Sequence, residues 1–283
     1  MINPYIIHLL IMICIFIILS TSLNLAMGFT GLMNLSHVAF FGIGAYTSAL
    51  LTFAGIPFWA AFISAGLVAA LFGFLLSIPT ARLKGDYLAL ATLGFAFITH
   101  SILLNWTWLT RGPLGLPGIY KPFINNTEYL IFAAIVALIS IFIIWRITRS
   151  QFGKMLEAVR DDEISASVIG KNIFKAKAIA MAVSAFFAGI AGSLFAHYIT
   201  FIDPSSFLLS ELVLVLTIVI IGGLASNRGV ILAAIIIILL PEPLRFLSLP
   251  SSLVGPLRQL IYALILLFII LYRPKGFFGK VEL

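Results

Sequence analysis

The chain has 283 residues, of which 62% are hydrophobic and only 10% charged, and its formal net charge is +7. The mean hydropathy of +1.17 is higher than a water-facing surface tolerates, so a soluble globular fold is excluded and an integral membrane protein is indicated. The one cysteine, Cys14, excludes an internal disulfide and a metal site built from several cysteines.

Nine apolar segments follow one another along the chain. Because a membrane-spanning helix needs about 20 predominantly apolar residues, the sequence predicts spans near 5–27, 36–54, 57–78, 87–104, 128–147, 174–198, 208–224, 229–247 and 257–272. The second and seventh are short and contain glycines, so a broken or re-entrant form stays open for both. These apolar runs are continuous and lack the alternation of apolar and polar residues that is typical of the strands of a transmembrane β-barrel. The predicted fold is all-α, a polytopic integral membrane helical bundle of about 8–10 transmembrane segments.

Lysine and arginine are distributed unevenly over the loops between these spans. Of the 17 lysine and arginine residues, 13 lie in loops on one side of the membrane in the predicted arrangement. The other four lie on the opposite side: Arg111, Lys121, Arg245 and Arg258. Cytoplasmic loops are enriched in basic residues, so this split predicts a cytoplasmic C-terminus. The positive net charge therefore reports topology and not nucleic-acid binding.

The segment 149–177, between the fifth and sixth spans, concentrates charge in an otherwise apolar chain. It predicts an amphipathic helix, because apolar residues recur at the spacing i, i+3, i+4 and i+7, namely Phe152, Met155, Leu156 and Val159. Arg160 would turn away from that face. From composition alone, the segment is either a solvated loop or a unit that docks a partner.

A second short helix is predicted directly after the first. Asp161 and Asp162 are both placed to cap its N-terminus, and Gly170 is placed to end it. Ile164 and Val168 would share one face of this helix. The pair of helices therefore offers apolar faces without any further domain to cover them.

Several other polar or small residues in the spans allow two interpretations. His37 could gate or contact a substrate, or it could be a buried hydrogen-bonding group. Glu211 is the one acidic residue well inside a predicted span, which makes it a functional candidate, yet its place near the span end also suits the membrane interface. Small residues at every fourth position predict close helix packing: Ala185, Gly189 and Ser193, and Ala188, Gly192 and Ala196.

No pattern of catalytic residues emerges from the sequence. The four histidines occur at no metal-binding spacing, and the glycines of residues 28–44 are not followed by the Gly-Lys-Ser/Thr of a P-loop. The chain is therefore not expected to be an enzyme, to bind a metal or cofactor, or to hydrolyse ATP itself.

Five segments resemble one known family. They are "SLNLAMGFTGLMNLSHVAFFGIGAYTSALL" (22–51), "ARLKGDYLALATLGFAFI" (81–98), "LTRGPLGLPGI" (109–119), "RPKGFFG" (273–279), and the loop 153–170 with the "AIAMAVSAFFAGIAGSLFA" (178–196) that follows it. In this order they are similar to the LivM-type permeases of branched-chain amino-acid ABC importers. The chain departs from the family at "GGLASNRGVILAA" (222–234), where Ala225 and Val230 replace small or rigid residues.

The resemblance implies a single transmembrane domain over 1–283 in a prokaryotic cytoplasmic membrane. It also implies a second related permease, two cytoplasmic ATPases that carry ATP-Mg, and an extracytoplasmic amino-acid-binding protein. The loop 149–177 would then be the coupling segment that docks an ATPase, although it matches the family pattern only loosely. The predicted coupling residues are Val159, Arg160, Asp161, Asp162, Glu163, Ile164, Val168 and Gly170.

A translocation path for a zwitterionic amino acid needs weakly polar walls. Two segments, 36–48 and 90–95, combine glycines with residues that carry hydroxyl groups. Together with the polar residues His37 and Glu211, they give the candidate lining of the path: His37, Gly42, Gly44, Thr47, Thr92, Gly94 and Glu211. Helix packing would explain the glycines as well. Functions other than a branched-chain importer stay open: an ion-coupled secondary transporter or channel, a membrane-embedded enzyme, or an ABC importer of urea or amides.

Overall fold

The computed structural model describes residues 4–242, 251–273 and 276–279. Its helices are α1 Pro4–Asn24, α2 His37–Phe53, α3 Phe58–Thr80, α4 Gly85–Asn105, α5 Thr107–Thr110, α6 Asn126–Arg149, α7 Gln151–Asp161, α8 Glu163–Val168, α9 Ile173–Ile199, α10 Leu209–Gly222, α11 Asn227–Leu239 and α12 Ser251–Tyr272. A π-turn, Leu25–Phe29, continues α1, and 3-10 turns span Gly112–Leu114 and Pro204–Phe207. The short strands β1 (Leu116–Pro117) and β2 (Phe201–Ile202) pair antiparallel, with Leu116 opposite Ile202.

Each of the nine predicted spans coincides with one described helix: α1 to α4, α6, and α9 to α12. Six of these helices, two of them counted with an adjoining turn, are long and apolar enough to cross a bilayer. The helices α2, α11 and the apolar part of α12 are shorter. The second and seventh spans are continuous helices and not broken ones. The prediction of an all-α, polytopic membrane bundle is confirmed.

One predicted span, 229–247, extends further than its helix. α11 ends at Leu239, two residues before Pro241, because proline lacks the backbone N–H and its ring clashes with the preceding turn. Residues 243–247 of that prediction, with Arg245, lie outside the described part of the chain, as do Lys275 and Lys280 of the charge comparison.

Helix α9 occupies the centre of the bundle, and its small residues lie where α2 and α3 approach it. A methyl group added at Gly189 would come within 2.6 Å of the carbonyl oxygen of Ala65 on α3. One added at Gly44 on α2 would overlap the backbone of Gly189, and one at Gly192 would overlap the carbonyl of Phe41. The glycine spacing on α9 therefore serves close helix packing.

The loops that follow α1, α3 and α6 contact one another at one end of the bundle, named here the α7–α8 end. Arg160 at the end of α7 donates a hydrogen bond from Nη1 to the Gly28 carbonyl oxygen at 3.0 Å. Glu163 at the start of α8 forms an ion pair with Lys84 of the α3–α4 loop at 3.4 Å. This end carries most of the lysine and arginine of the described residues.

The opposite end, named here the β1–β2 end, is joined by a chain of buried polar groups. Ser193 Oγ donates to Ser48 Oγ at 2.7 Å, and Ser48 Oγ lies 2.7 Å from His197 Nε2. The other ring nitrogen, His197 Nδ1, lies 2.6 Å from the carbonyl oxygen of Tyr120. Successive long helices therefore run alternately between the two ends, as the alternating charge of the loops predicts.

Candidate functional site

Helix α7 is amphipathic as predicted, but its apolar face packs onto the bundle. Leu156 is fully buried and Val159 is 1% exposed, and both belong to one buried cluster with Leu25 and Phe29 of the π-turn. The close approach of α7 to α6 requires Gly153, because a side chain there would overlap the Thr148 carbonyl. The prediction that Val159 belongs to an exposed docking face is therefore corrected.

Arg160 also differs from its predicted orientation, since it bends back against the bundle. Its side chain is only 14% exposed and bonds to the Gly28 carbonyl. The guanidinium also pairs with Asp161 at 2.8 Å, while the Asp161 side chain stays largely exposed. The spacing of apolar residues did not predict this contact, because it describes one helix without its neighbours.

Asp162, and not Asp161, caps the N-terminus of α8. Its Oδ1 accepts hydrogen bonds from Ile164 N at 2.8 Å and Ser165 N at 3.3 Å, and Ser165 Oγ donates to Oδ2 at 2.6 Å. The hydroxyl of Ser165 and then the backbone amides hold the pKa of the Asp162 carboxyl below its usual value. Gly170, with φ +79°, follows the last turn of α8, as predicted.

Glu163 binds α8 to the body of the bundle. Its carboxylate lies 2.7 Å from Lys177 Nζ on α9 and 3.4 Å from Lys84 Nζ. The Lys177 side chain is only 4% exposed, and its ammonium group also reaches the Ala81 carbonyl at 3.5 Å. The start of α8 is thus fixed to α9 and to the α3–α4 loop.

The outer side of α8 presents three apolar side chains that contact little of the bundle. Ile164, Val168 and Ile169 are 70%, 81% and 75% exposed, and we name them the α8 patch. Ala166 on the other side of the helix is buried. Two of the three patch residues were predicted; Ile169 was missed, although its neighbour Val168 and the following Gly170 mark it as the last residue before the turn.

Most of the predicted path residues lie in packing contacts. His37 is fully buried, with Nε2 3.0 Å from both Ser22 Oγ and the Leu19 carbonyl oxygen. It is therefore a buried hydrogen-bonding group, one of its two predicted roles. Gly42 is buried too, and a methyl group there would meet the Phe207 ring at 3.1 Å. Gly44 lies at the α2–α9 contact described above.

The predicted residues of α4, with Thr47 on α2, differ from one another. Thr92 is buried and fixes the loop after α1, because its hydroxyl accepts from Leu35 N at 3.0 Å and lies 3.3 Å from Met33 O. Thr47 and Gly94 are half-buried, and a methyl group at Gly94 would have no neighbouring atom within 4 Å. The sequence does not distinguish these environments, since every one of these residues is small or hydroxyl-bearing.

Glu211 is the predicted path residue that lines a large cavity. This cavity of about 430 Å³ opens between α1, α2, α9, α10, α11 and α12 toward the β1–β2 end. Its polar lining residues include Ser206, Ser210, Glu211, Glu242 and Gln259, and its apolar ones include Met12, Phe16, Phe41 and Phe195. The cavity therefore combines a polar part with aromatic and aliphatic walls.

In the described part of the chain, no three His, Cys, Asp or Glu side chains are grouped so that they could hold a metal ion. The candidate sites of the protein are instead the exposed α8 patch at one end of the membrane bundle and the partly polar cavity that opens toward the other end.

Comparison with known proteins agrees with this architecture. A protein-family model described as "Branched-chain amino acid transport system / permease component" matches residues 5–271. Two similar proteins are named high-affinity branched-chain amino acid transport system permease protein LivM. The one from Salmonella typhimurium is 38% identical over 94% of this chain and 68% of its own length. The one from Escherichia coli is 39% identical over 93% of this chain and 67% of its own length.

A more distant relative comes from Methanocaldococcus jannaschii. It is named a probable branched-chain amino acid transport permease protein LivM and is 28% identical over 76% of this chain and 66% of its own length. No solved structure matches the chain at a significant level. With a family match over nearly all of its residues, the chain belongs to the permease components of branched-chain amino acid transport systems.

Proposed function

We propose that this protein is one membrane subunit of an ABC importer that moves branched-chain amino acids inward across a prokaryotic cytoplasmic membrane. The observation that carries the proposal is the family match over residues 5–271, together with relatives named for this transport. The 283 residues contain no P-loop sequence, so ATP and Mg²⁺ would be bound by separate ATPase subunits. Family membership favours this importer over a secondary transporter, a channel or a membrane enzyme.

The proposed assembly contains a second related permease, two ATPases and an extracytoplasmic binding protein. In this assembly the α7–α8 end faces the cytoplasm, because it carries most of the basic residues of the described chain. The β1–β2 end then faces outward, toward the binding protein. Residues 1–283 would act as one transmembrane domain, with α7 and α8 as its coupling segment.

The α8 patch is the proposed ATPase contact. Three large apolar side chains are exposed at the end of the protein that carries most of its basic residues, and a groove on an ATPase would bury them. Asp162 and Glu163 support this contact indirectly, since one caps α8 and the other fixes it to α9 and the α3–α4 loop.

Co-purification of the complex tests the α8 contact. Replacing Ile164 and Val168 together by Asp should leave the membrane subunits folded but lower the yield of bound ATPase at least about tenfold, since charges replace buried apolar contacts. Gln151→Asp and each of the single variants Ile164→Asp and Val168→Asp form a matched comparison, because each adds one negative charge, and only Gln151→Asp, at an exposed site on α7, should keep the bound ATPase at the wild-type yield. ATPase recovery at the wild-type level with the double variant would refute the α8 contact.

The substrate assignment needs a transport measurement. In proteoliposomes that hold the complete complex, ATP and the binding protein should drive uptake of labelled leucine, isoleucine or valine, whereas urea and simple amides should not be taken up. Uptake of urea in place of leucine would reassign the substrate within the same class of importer.

The cavity beside Glu211 is the proposed outer part of the translocation path. Its volume of about 430 Å³ is within the usual range of small-molecule sites, and its mixed walls suit an amino acid with an apolar side chain. In the same proteoliposomes, Glu211→Gln should lower leucine uptake while the affinity of the separate binding protein stays unchanged. Equal uptake by the variant would remove Glu211 from the path.

A further inference from the structure

The end of α1 has an unusual geometry in a segment of five residues, four of which are buried. Residues 25–29 form a π-turn, a wider turn than the α-helix before it, and Leu32 N and Gly31 N bond back to the carbonyls of Ala26 and Met27 at 3.0 and 3.1 Å. A π-turn interrupts the regular ladder of hydrogen bonds, and such turns occur frequently at functional sites. No proline lies in this segment to account for it.

Helix α7 rests on this π-turn through one charged group and two apolar side chains. The charged group is Arg160, whose Nη1 donates to the Gly28 carbonyl at 3.0 Å. The stem of Arg160 lies against Gly31, where a methyl group would come within 2.8 Å of its Cγ and where φ is +72°. Leu156 and Val159 share one buried cluster with Leu25 and Phe29 of this turn. Only Asp162 separates α7 from α8, and Arg160 lies in the last turn of α7, so α8 is joined to Arg160 by a short and direct connection.

The same π-turn also contacts the connection between α10 and α11. Asn24, directly before the π-turn, accepts a hydrogen bond from Ala225 N at 3.1 Å and donates to Asn227 Oδ1 at 3.3 Å. Gly28 fits between these groups, since a side chain there would overlap both Asn24 Oδ1 and Ala225 N. Ala225 has a left-handed backbone with φ +60°. The π-turn is therefore the junction of α1, α7 and the α10–α11 turn, and α10 carries Glu211 at its other end.

We propose that Arg160 is a positioning residue, which passes a displacement of α7 and α8 to the π-turn of α1 and from there, through Asn24, to α10 and α11. The proposal rests on the proposed function, because the displacement would come from the ATPases. A hydrogen bond from a charged donor that is largely shielded from water is stronger than a neutral one, so it holds the Gly28 carbonyl as α7 moves. The π-turn can accommodate this pull, because shifting its hydrogen bonds by one residue restores an α-turn.

The test measures ATP hydrolysis and leucine uptake on the same proteoliposomes that contain the complete complex. Arg160→Gln removes the charge and shortens the side chain. We expect its complex to assemble with normal ATPase content and to hydrolyse ATP at a rate within about twofold of wild type, while leucine taken up per ATP falls about tenfold, the effect of one lost charged hydrogen bond. Arg160→Lys keeps the charge and should restore part of that ratio.

Lys154→Gln is the matched control, because it removes a positive charge from an exposed position on the same helix and should leave the ratio at its wild-type value. An unchanged ratio in the Arg160→Gln complex would overturn the proposal. So would failure of both Arg160 variants to assemble, since Arg160 would then serve the fold alone. If the wild-type complex itself shows no ATP-driven uptake, it is the proposed function that fails.

Discussion

Asp162 shows how one side chain can organise a whole short helix. Three hydrogen bonds converge on its carboxylate, two from the backbone of α8 and one from the hydroxyl of Ser165. The sequence predicted a cap at Asp161 or Asp162, because aspartate before an amphipathic run is a common helix start. It could not predict that Arg160 would fold back onto Gly28, since that contact joins residues 132 positions apart in the chain.

Replacing Asp162 by Ala should loosen α8, because the first amides of the helix lose their acceptor. Hydrogen exchange of the α8 amides should become faster, while exchange in α7 and α9 stays as in wild type. Asn, which also accepts these bonds, should preserve most of the protection. Equal exchange in the Ala variant would show that the Glu163 ion pairs alone hold α8.

The stabilisation of α8 by the Asp162 cap should decrease as the pH falls. Because the folded state lowers the pKa of Asp162, the carboxylate stabilises α8 above its unfolded pKa of about 3.9, and this contribution is lost as pH falls through the folded pKa. The protection factor of the α8 amides, which is their exchange rate relative to that of an unstructured amide at the same pH, should fall at acidic pH in the wild type but not in the Asp162→Ala variant.

At the scale of whole helices, glycines with the same appearance in the sequence have different surroundings. Gly44 lies directly against Gly189 on α9, whereas Gly94 on α4 has open space where a side chain would begin. The sequence predicted the close packing of α9 from its small-residue rows, and it predicted nine helices from apolar length. It could not tell which glycine of α2 or α4 faces a neighbour, because the hydrophobic pattern of a membrane helix is apolar on all sides.

Gly44→Leu and Gly94→Leu form a matched pair that tests this difference. We expect Gly44→Leu to prevent folding or assembly, because its side chain would have to displace the backbone of α9. Gly94→Leu should assemble at the wild-type level. The yield of monodisperse complex in mild detergent measures both, and a normal yield of the Gly44→Leu complex would contradict the described α2–α9 contact.

The whole molecule has two ends of different character. Basic residues and the α8 patch lie at the α7–α8 end, and the strand pair and the mouth of the cavity lie at the other. The sequence predicted this division from the uneven distribution of lysine and arginine alone. It did not predict the cavity, because the residues that line it come from six helices widely separated in the chain.

Labelling of single cysteines tests the orientation of these ends. In a Cys14→Ala background, a cysteine at Ile124, which is 93% exposed at the β1–β2 end, should react with an impermeant thiol reagent added outside intact cells. A cysteine at Ser167 on α8 should react only after the cells are opened. The reverse pattern would show that the protein has the opposite orientation in the membrane, with the α8 patch outside the cell and out of reach of a cytoplasmic ATPase.

The polar chain at the β1–β2 end has a direction as well as a position. The Tyr120 carbonyl can only accept, so His197 must carry its proton on Nδ1, and its Nε2 must accept from the hydroxyl of Ser48. Ser48 has then used its one proton and can only accept from Ser193, whose Oγ lies 2.7 Å from Ser48 Oγ. A single carbonyl thus decides the tautomer of the imidazole and the rotation of two hydroxyl groups, and every donor along the row points toward the loop after α5.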